Sequence, residues 1–148
     1  MKNIGIVGVG GVAGYAQIPS YLEKGIQIKA ICDINEEVLN YIGDKFNIKQ
    51  RYTDIEEMII KENIDILDVA TPPQTHLEII ELANKHDVEV VIQKPLIVNK
   101  EELSKMQNLI NENKHIKLNM SGRYVSAWKK IKEILDSKEI GKPMLCTI

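Results

Sequence analysis

Apolar residues along this chain fall into two alternating patterns. Five runs of five to seven residues are mostly apolar and rich in Ile and Val, as expected for strands buried on both faces. They span residues 3–7, 26–32, 64–70, 88–92 and 116–120. The stretches between them are longer and carry apolar residues at i, i+3 and i+4 spacing, which predicts amphipathic helices.

Three polar residues stand at predicted helix starts. Asn35 is a typical N-cap, and Thr53 and Thr75 each precede a Glu by three residues, which is the capping-box spacing. The last amphipathic stretch is also predicted to be a helix. Four of its residues share one helix face and are interpreted as core packing: Tyr124, Trp128, Ile131 and Leu135.

Strands that alternate with helices predict a parallel sheet, because parallel neighbours need crossover connections. We therefore predict an α/β fold with a doubly wound parallel sheet over residues 1–120. In such sheets, ligands bind beyond the carboxyl ends of the strands, near the point where the strand order reverses.

Composition and charge narrow the class of partner. The 148 residues carry a formal net charge of -2 and are 44% hydrophobic, which argues against a nucleic acid bound through a basic surface. No apolar run reaches the length of a membrane-spanning helix. Cys32 and Cys146 lie in apolar runs without metal-site spacing, so we expect buried thiols, no metal site and a cytoplasmic location.

The first apolar run leads into a glycine-rich turn with the pattern GxGxxA. It consists of Gly8, Val9, Gly10, Gly11, Val12 and Ala13. The first glycine allows a tight turn, the second lets a diphosphate approach the backbone, and the small third residue lets the helix pack closely. The N–H groups at the helix start would then face the anion. The pattern predicts a dinucleotide site, with a plain structural turn as the alternative.

Asp33 ends the second apolar run, 20 residues after Ala13. An acid at that place accepts hydrogen bonds from the adenosine ribose and repels a 2′-phosphate. No Lys or Arg follows at positions 34–38, so NAD is favoured and NADP is the alternative. The alternative for Asp33 is a purely structural role, as an acid in a turn or as a helix cap. On this motif alone, a methyltransferase-type nucleotide site remains open as well.

Three further stretches decide between these alternatives. They are ATPPQTH at residues 70–76, QKP at 93–95, and SGRYVSAWKKIKEILDSKEIGKP at 121–143. Together with the glycine-rich turn and Asp33, they resemble the glucose–fructose oxidoreductase and inositol dehydrogenase family, Gfo/Idh/MocA. The resemblance covers the whole chain in the family's order.

The resemblance implies an oxidoreductase that transfers hydride between NAD or NADP and a sugar, cyclitol or related hydroxy compound. It implies cofactor contacts from the segment after the third run, namely Ala70, Thr71, Pro72 and His76. It also places Gln93 and Lys94 at the cofactor, with Lys94 as a catalytic group that hydrogen-bonds the reacting hydroxyl or carbonyl. Gln93 departs from the family's Glu and cannot act as a base.

The second departure from the family concerns length. The resemblance implies that residues 121–148 are a connecting helix and the first strand of an α+β substrate domain, most of which is absent. We therefore hypothesise a truncated oxidoreductase; the alternative is a stand-alone dinucleotide-binding module without catalysis. Residues 143–148 would form a strand without a sheet, so we expect self-association through this segment.

Overall fold

The computed structural model describes residues 2–112 and 115–144. Within these ranges, six parallel strands form one sheet in the order β3-β2-β1-β4-β5-β6. The strands are β1 (Ile4–Val7), β2 (Ile28–Cys32), β3 (Arg51–Tyr52), β4 (Ile66–Val69), β5 (Glu89–Gln93) and β6 (Ile116–Asn119). The strand order reverses between β1 and β4, as in other doubly wound sheets. The predicted α/β fold is therefore confirmed.

Helices connect the strands. They are α1 (Ile18–Glu23), α2 (Glu36–Lys45), α3 (Ile55–Glu62), α4 (His76–Lys85), α5 (Leu103–Glu112) and α6 (Ser126–Ser137). A π-helical turn, Ala13–Gln17, runs directly into α1. Among the described residues, no helix is long and apolar enough to cross a membrane.

The sheet is covered on both faces by apolar side chains. One buried cluster includes Met58 of α3, Ile80 of α4 and Met106 of α5, and the other includes Ile18 of α1 and Leu39 of α2. In β1 and β2, the side chains of successive residues enter opposite clusters, as the pleat requires. This two-sided burial explains why these strands are apolar runs and do not alternate strictly with polar residues.

The helix starts only partly follow the sequence-based expectation. Asn35 caps α2 as predicted, since its side chain accepts hydrogen bonds from the N–H groups of Glu37 and Val38. The predicted cap at Thr53 is wrong, because Asp54 accepts from the N–H of Glu57 at 2.7 Å and begins α3. A carboxylate at the N-cap also complements the positive end of the helix, which favours Asp54 over Thr53.

The sheet's edge strand β3 and the last helix differ from expectation. β3 has only two residues, Arg51 and Tyr52, and forms no apolar run, so hydrophobic periodicity does not predict it. No residue of α6 is buried, and Trp128 is 40% exposed. The predicted core packing of α6 is therefore wrong, because an amphipathic pattern shows that a face can pack without supplying a partner for it. Cys146 and most of the predicted strand 143–148 lie outside the described residues.

Candidate functional site

A cavity of about 760 Å³ opens at the carboxyl ends of β1, β2 and β4. The turns after these three strands and the segment 53–56 after β3 form most of its wall, and α4 contributes Glu78, Ile79 and Leu82. The cavity therefore lies at the switch point of the sheet, where doubly wound folds bind their ligands. Of the residues predicted as cofactor contacts, seven line it: Gly8, Gly10, Gly11, Asp33, Ala70, Thr71 and Pro72.

Gly8 joins the glycine-rich turn to the end of β4. Its backbone has a φ of +80°, and a Cβ at this position would lie 2.8 Å from Thr71 Cγ2 and 3.0 Å from the carbonyl carbon of Ala70. Its N–H donates to the carbonyl of Cys32 at 2.9 Å. The tight turn that the sequence pattern predicted therefore depends on glycine for both its conformation and its packing.

The next two glycines keep the cavity open. A Cβ on Gly10 would meet only Val38 Cγ1 at 3.3 Å, and one on Gly11 would meet nothing within 4 Å. The backbone N–H groups of Gly10, Gly11 and Val12 have no protein acceptor within the described ranges. Unpartnered N–H groups beside an open cavity are suited to an anion such as a diphosphate.

Close packing of the first helical segment depends on a glycine that the GxGxxA pattern does not include. A Cβ on Gly14 would lie 2.6 Å from the carbonyl oxygen of Val9 and 2.9 Å from Ile42 Cδ1. Ala13, which the pattern assigned to this role, is also fully buried. The signal for Gly14 was present in the sequence as one more glycine directly after the motif.

Asp33 holds two turns together at the cavity wall. Its Oδ2 accepts from the N–H of Val9 at 2.9 Å, and its Oδ1 accepts from the N–H of Asn35 at 2.9 Å. Each carboxylate oxygen keeps further acceptor capacity, so these bonds leave room for ligand hydroxyls. The role as a turn acid and the proposed role at a ribose are therefore compatible. The neighbouring Ile34, which the sequence analysis did not single out, is 92% exposed at the cavity rim.

The cavity wall is acidic. It carries four carboxylates: Asp33, Asp54, Glu56 and Glu78. No Lys or Arg is among the lining residues that the structure describes. Glu56 is held as an anion, because hydrogen bonds from Lys85 and then His86 lower the pKa of its carboxyl group. The described part of the wall therefore gives the cavity a negative electrostatic potential.

The segment after β4 forms one side of the cavity. Thr71 and Thr75 share a hydroxyl hydrogen bond of 2.8 Å, and the Thr75 hydroxyl donates to the Pro72 carbonyl at 2.9 Å. The predicted capping box at Thr75 is therefore wrong: its side chain makes no cap bond, because it stabilises the turn that precedes α4.

His76 lies beneath this segment and does not line the cavity. It is fully buried, with Nδ1 3.0 Å from the carbonyl oxygen of Leu96 and Nε2 3.1 Å from that of Thr71. The ring thus connects the segment after β4 with the segment after β5. Any influence of His76 on a bound cofactor passes through Thr71, since the ring itself makes no contact with the cavity.

Besides Ala13 and His76, three of the predicted site residues are not among the described cavity lining. Gln93 is the last residue of β5, and Lys94 follows it as an exposed side chain at the same carboxyl edge of the sheet. Val12 directly precedes the π-helical turn. Seven of the predicted residues thus meet at the cavity, and Lys94 lies outside its described lining.

Cys32 is expected to resist thiol reagents in the folded protein. It is 2% exposed, and burial, followed by the charges of Asp33 and Asp54, raises the pKa of its thiol to about 12. At pH 8 the reactive thiolate would be roughly 10⁻⁴ of the population. In a Cys146→Ser variant, a colorimetric disulfide reagent should react only after denaturant is added. Rapid reaction of the native variant would contradict this environment.

The comparisons with known proteins agree with this geometry. A family model described as "Oxidoreductase family, NAD-binding Rossmann fold" (GFO_IDH_MocA) matches residues 2–120. D-apiose dehydrogenase of Rhizobium rhizogenes is 31% identical over 121 residues, which are 81% of this chain and 35% of that protein. Myo-inositol 2-dehydrogenase of Thermotoga maritima is 28% identical over 151 residues, covering 99% of this chain and 44% of that protein.

A solved structure extends the agreement to three dimensions. The crystal structure of an oxidoreductase from Agrobacterium radiobacter in complex with NAD+, L-tartaric acid and magnesium superimposes with a TM-score of 0.85 and 28% identity. The match covers 97% of this chain and 42% of that one, so the chain spans well under half the length of the relatives it matches. Because the family model matches most of the sequence, the chain belongs to the Gfo/Idh/MocA family of oxidoreductases with an NAD-binding Rossmann fold.

Proposed function

We propose that this chain is the NAD-binding part of an oxidoreductase that transfers hydride between the nicotinamide and a hydroxyl-bearing carbon of a sugar or cyclitol. The observation that carries the proposal is the switch-point cavity, where the unpartnered N–H groups of the glycine-rich turn lie beside Asp33. The substrate class is supported by the names of relatives, a D-apiose and a myo-inositol 2-dehydrogenase.

Each part of the cavity suits one part of the dinucleotide. The N–H groups of Gly10, Gly11 and Val12 would bind the diphosphate, and the free acceptor sites of Asp33 would bind ribose hydroxyls. The exposed Ile34 offers apolar surface to the adenine ring. NAD supplies or accepts the hydride when bound, and the protein contributes binding, orientation and electrostatics.

We assign Lys94 the role of holding the substrate oxygen. It follows β5 at the carboxyl edge of the sheet and is exposed, so its ammonium group is free to approach a substrate there. An ammonium group at that place donates a hydrogen bond to the reacting hydroxyl or carbonyl and stabilises negative charge on its oxygen. Gln93 precedes it as a neutral amide, which can orient ligands by hydrogen bonding but cannot take up a proton as a base.

The direct test is calorimetric titration of the purified chain with NADH and, separately, with NADPH. Saturable binding of NADH, with weaker binding of NADPH, is expected from the four carboxylates of the cavity wall. S-adenosylmethionine serves as the comparison ligand, because a methyltransferase-type site would also use a glycine-rich turn and an acid after the second strand. Binding of S-adenosylmethionine without NADH binding would overturn the proposal.

Asp33→Ser is expected to narrow the preference for NADH over NADPH. The variant loses the charge-assisted hydrogen bonds to the ribose, each about 1.5–3 kcal/mol, so NADH affinity should fall about tenfold or more. It also loses a charge that repels a 2′-phosphate, so NADPH affinity should rise. Calorimetric titrations of the wild type and Asp33→Ser with NADH and with NADPH give the ratio of the two affinities. Glu78→Gln is the control for loss of a carboxylate elsewhere in the cavity. An unchanged ratio in Asp33→Ser would contradict the ribose role.

A further inference from the structure

A buried carboxylate interrupts the apolar pattern of β4. Asp68 is 1% exposed, while its neighbours Leu67 and Val69 are fully buried apolar residues. Burial raises the pKa of its carboxyl group, partly offset by hydrogen bonds from Tyr21 and Gln17. An apolar side chain would occupy this place at lower free-energy cost. Asp68 is also not among the residues that line the cavity, so its presence needs another explanation.

Asp68 holds one face of the first helical segment at two points. Gln17 Nε2 donates to Asp68 Oδ1 at 2.9 Å, and the Tyr21 hydroxyl donates to Asp68 Oδ2 at 2.7 Å. Gln17 and Tyr21 are four residues apart and therefore lie one above the other on the helix. Two bonds at different heights fix both the rotation and the axial position of the helix against β4.

The first helical segment needs such an anchor. It begins with the π-helical turn Ala13–Gln17, which has no side-chain N-cap at Val12, and continues as only six residues in α1, with Pro19 near its start. A short helix with irregular hydrogen bonding has little stability of its own, so tertiary contacts decide its orientation. This segment follows directly on the glycine-rich turn, and its orientation sets where the N–H groups of that turn point.

We propose that Asp68 is a positioning residue for dinucleotide binding. Through Gln17 and Tyr21 it holds the first helical segment in the register that presents the N–H groups of Gly10 and Gly11 to the diphosphate. The inference rests on the proposed function of the cavity. It explains why the carboxylate of Asp68 stands in a strand that is otherwise apolar.

Two substitutions of Asp68 separate hydrogen bonding from packing. Asp68→Val suits a buried strand but accepts no hydrogen bond. Asp68→Asn still accepts from Tyr21 and gains an N–H₂ group. Gln17 Oε1 is buried without a partner, so a turned-over Gln17 amide can accept from that group. The Asn variant should therefore restore both connections, and the Val variant should lose both.

The expected result is a difference in NADH affinity between the two variants. In calorimetric titrations, the Kd for NADH should rise about tenfold in Asp68→Val and stay within about threefold in Asp68→Asn. In ¹H–¹⁵N spectra of the ligand-free proteins, the amide signals of Gly10 and Gly11 should move in the Val variant and keep their places in the Asn variant. A Val variant with wild-type Kd and unmoved glycine signals would overturn the inference, as would equal weakening in both variants.

Urea unfolding of each variant separates positioning from general stability. A purely structural role predicts a changed free energy of unfolding with an unchanged Kd for the folded protein. If Asp68→Val does not fold, Tyr21→Phe and Gln17→Leu each remove one bond and should each raise the Kd, and wild-type affinity in both would overturn the inference. Absence of NADH binding in the wild type would contradict the proposed function, whereas the glycine amide signals would still decide the positioning role.

Discussion

Gly8→Ala is expected to lower the free energy of unfolding by about 2–5 kcal/mol, through left-handed backbone strain and overpacking. Gly8 has a φ of +80°, which side chains with a Cβ rarely adopt. The added Cβ would also lie 3.0 Å from the backbone of Ala70, which cannot rotate away as a side chain could. Urea unfolding followed by circular dichroism measures the loss, which is a large part of the stability of an ordinary domain.

Alanine substitutions at two other glycines distinguish the effect of backbone strain from the effect of overpacking. Gly25 also has a positive φ, +70°, but its Cβ would meet nothing within 4 Å, so Gly25→Ala should cost only about 1–2 kcal/mol of backbone strain. A Cβ on Gly11 would likewise meet nothing within 4 Å, and its φ is not positive, so Gly11→Ala should change stability by less than about 0.5 kcal/mol. If Gly8→Ala is no more destabilising than Gly25→Ala, the contact between the turn and β4 contributes nothing.

The sequence predicted the fold because three central strands, β1, β2 and β4, are buried on both faces. Such strands form short apolar runs that differ clearly from the amphipathic helices between them. Arg51–Tyr52 of β3 could not be found this way. Its place in the sheet depends on backbone bonds to β2, such as that from the N–H of Asp33 to the carbonyl of Tyr52 at 3.1 Å. Such backbone hydrogen bonds require no particular side chains, so they produce no pattern of apolar residues in the sequence.

The candidate site was predictable where one local motif determines it. Gly8 is required by the turn itself, and Asp33 by its place at the end of β2. Gly14 and His76 depend instead on contacts with distant parts of the chain, Ile42 and Leu96, that no spacing rule supplies. Asp68 is an intermediate case: an acid inside an apolar run is visible in the sequence as an exception, but its partners are visible only in the structure.

His76→Leu is expected to destabilise the protein by about 1–3 kcal/mol, because the carbonyl oxygen that accepts from the ring N–H is left beside a buried apolar side chain without its donor. The ring is fully buried, and its two nitrogens lie 3.0 and 3.1 Å from the carbonyl oxygens of Leu96 and Thr71. Leu fills a comparable volume, so the loss should come from hydrogen bonding and not from a cavity. Urea unfolding gives the free energy, and faster hydrogen exchange at the Leu96 amide should show release of the segment that carries Lys94.

Two conservative variants of His76 test separately its contact with Leu96 and its contact with Thr71. The amide nitrogen of His76→Asn takes approximately the place of ring Nδ1 and can keep the bond to Leu96, whereas that of His76→Gln approximates Nε2 and can keep the bond to Thr71. Because Thr71 lines the cavity and Leu96 does not, the Gln variant should keep wild-type affinity for NADH, and the Asn variant should lose affinity several-fold. A neutral ring has one N–H donor, so the more stable variant also indicates which carbonyl receives it. Equal NADH affinity in both variants would show that His76 supports the fold without organising the cavity wall.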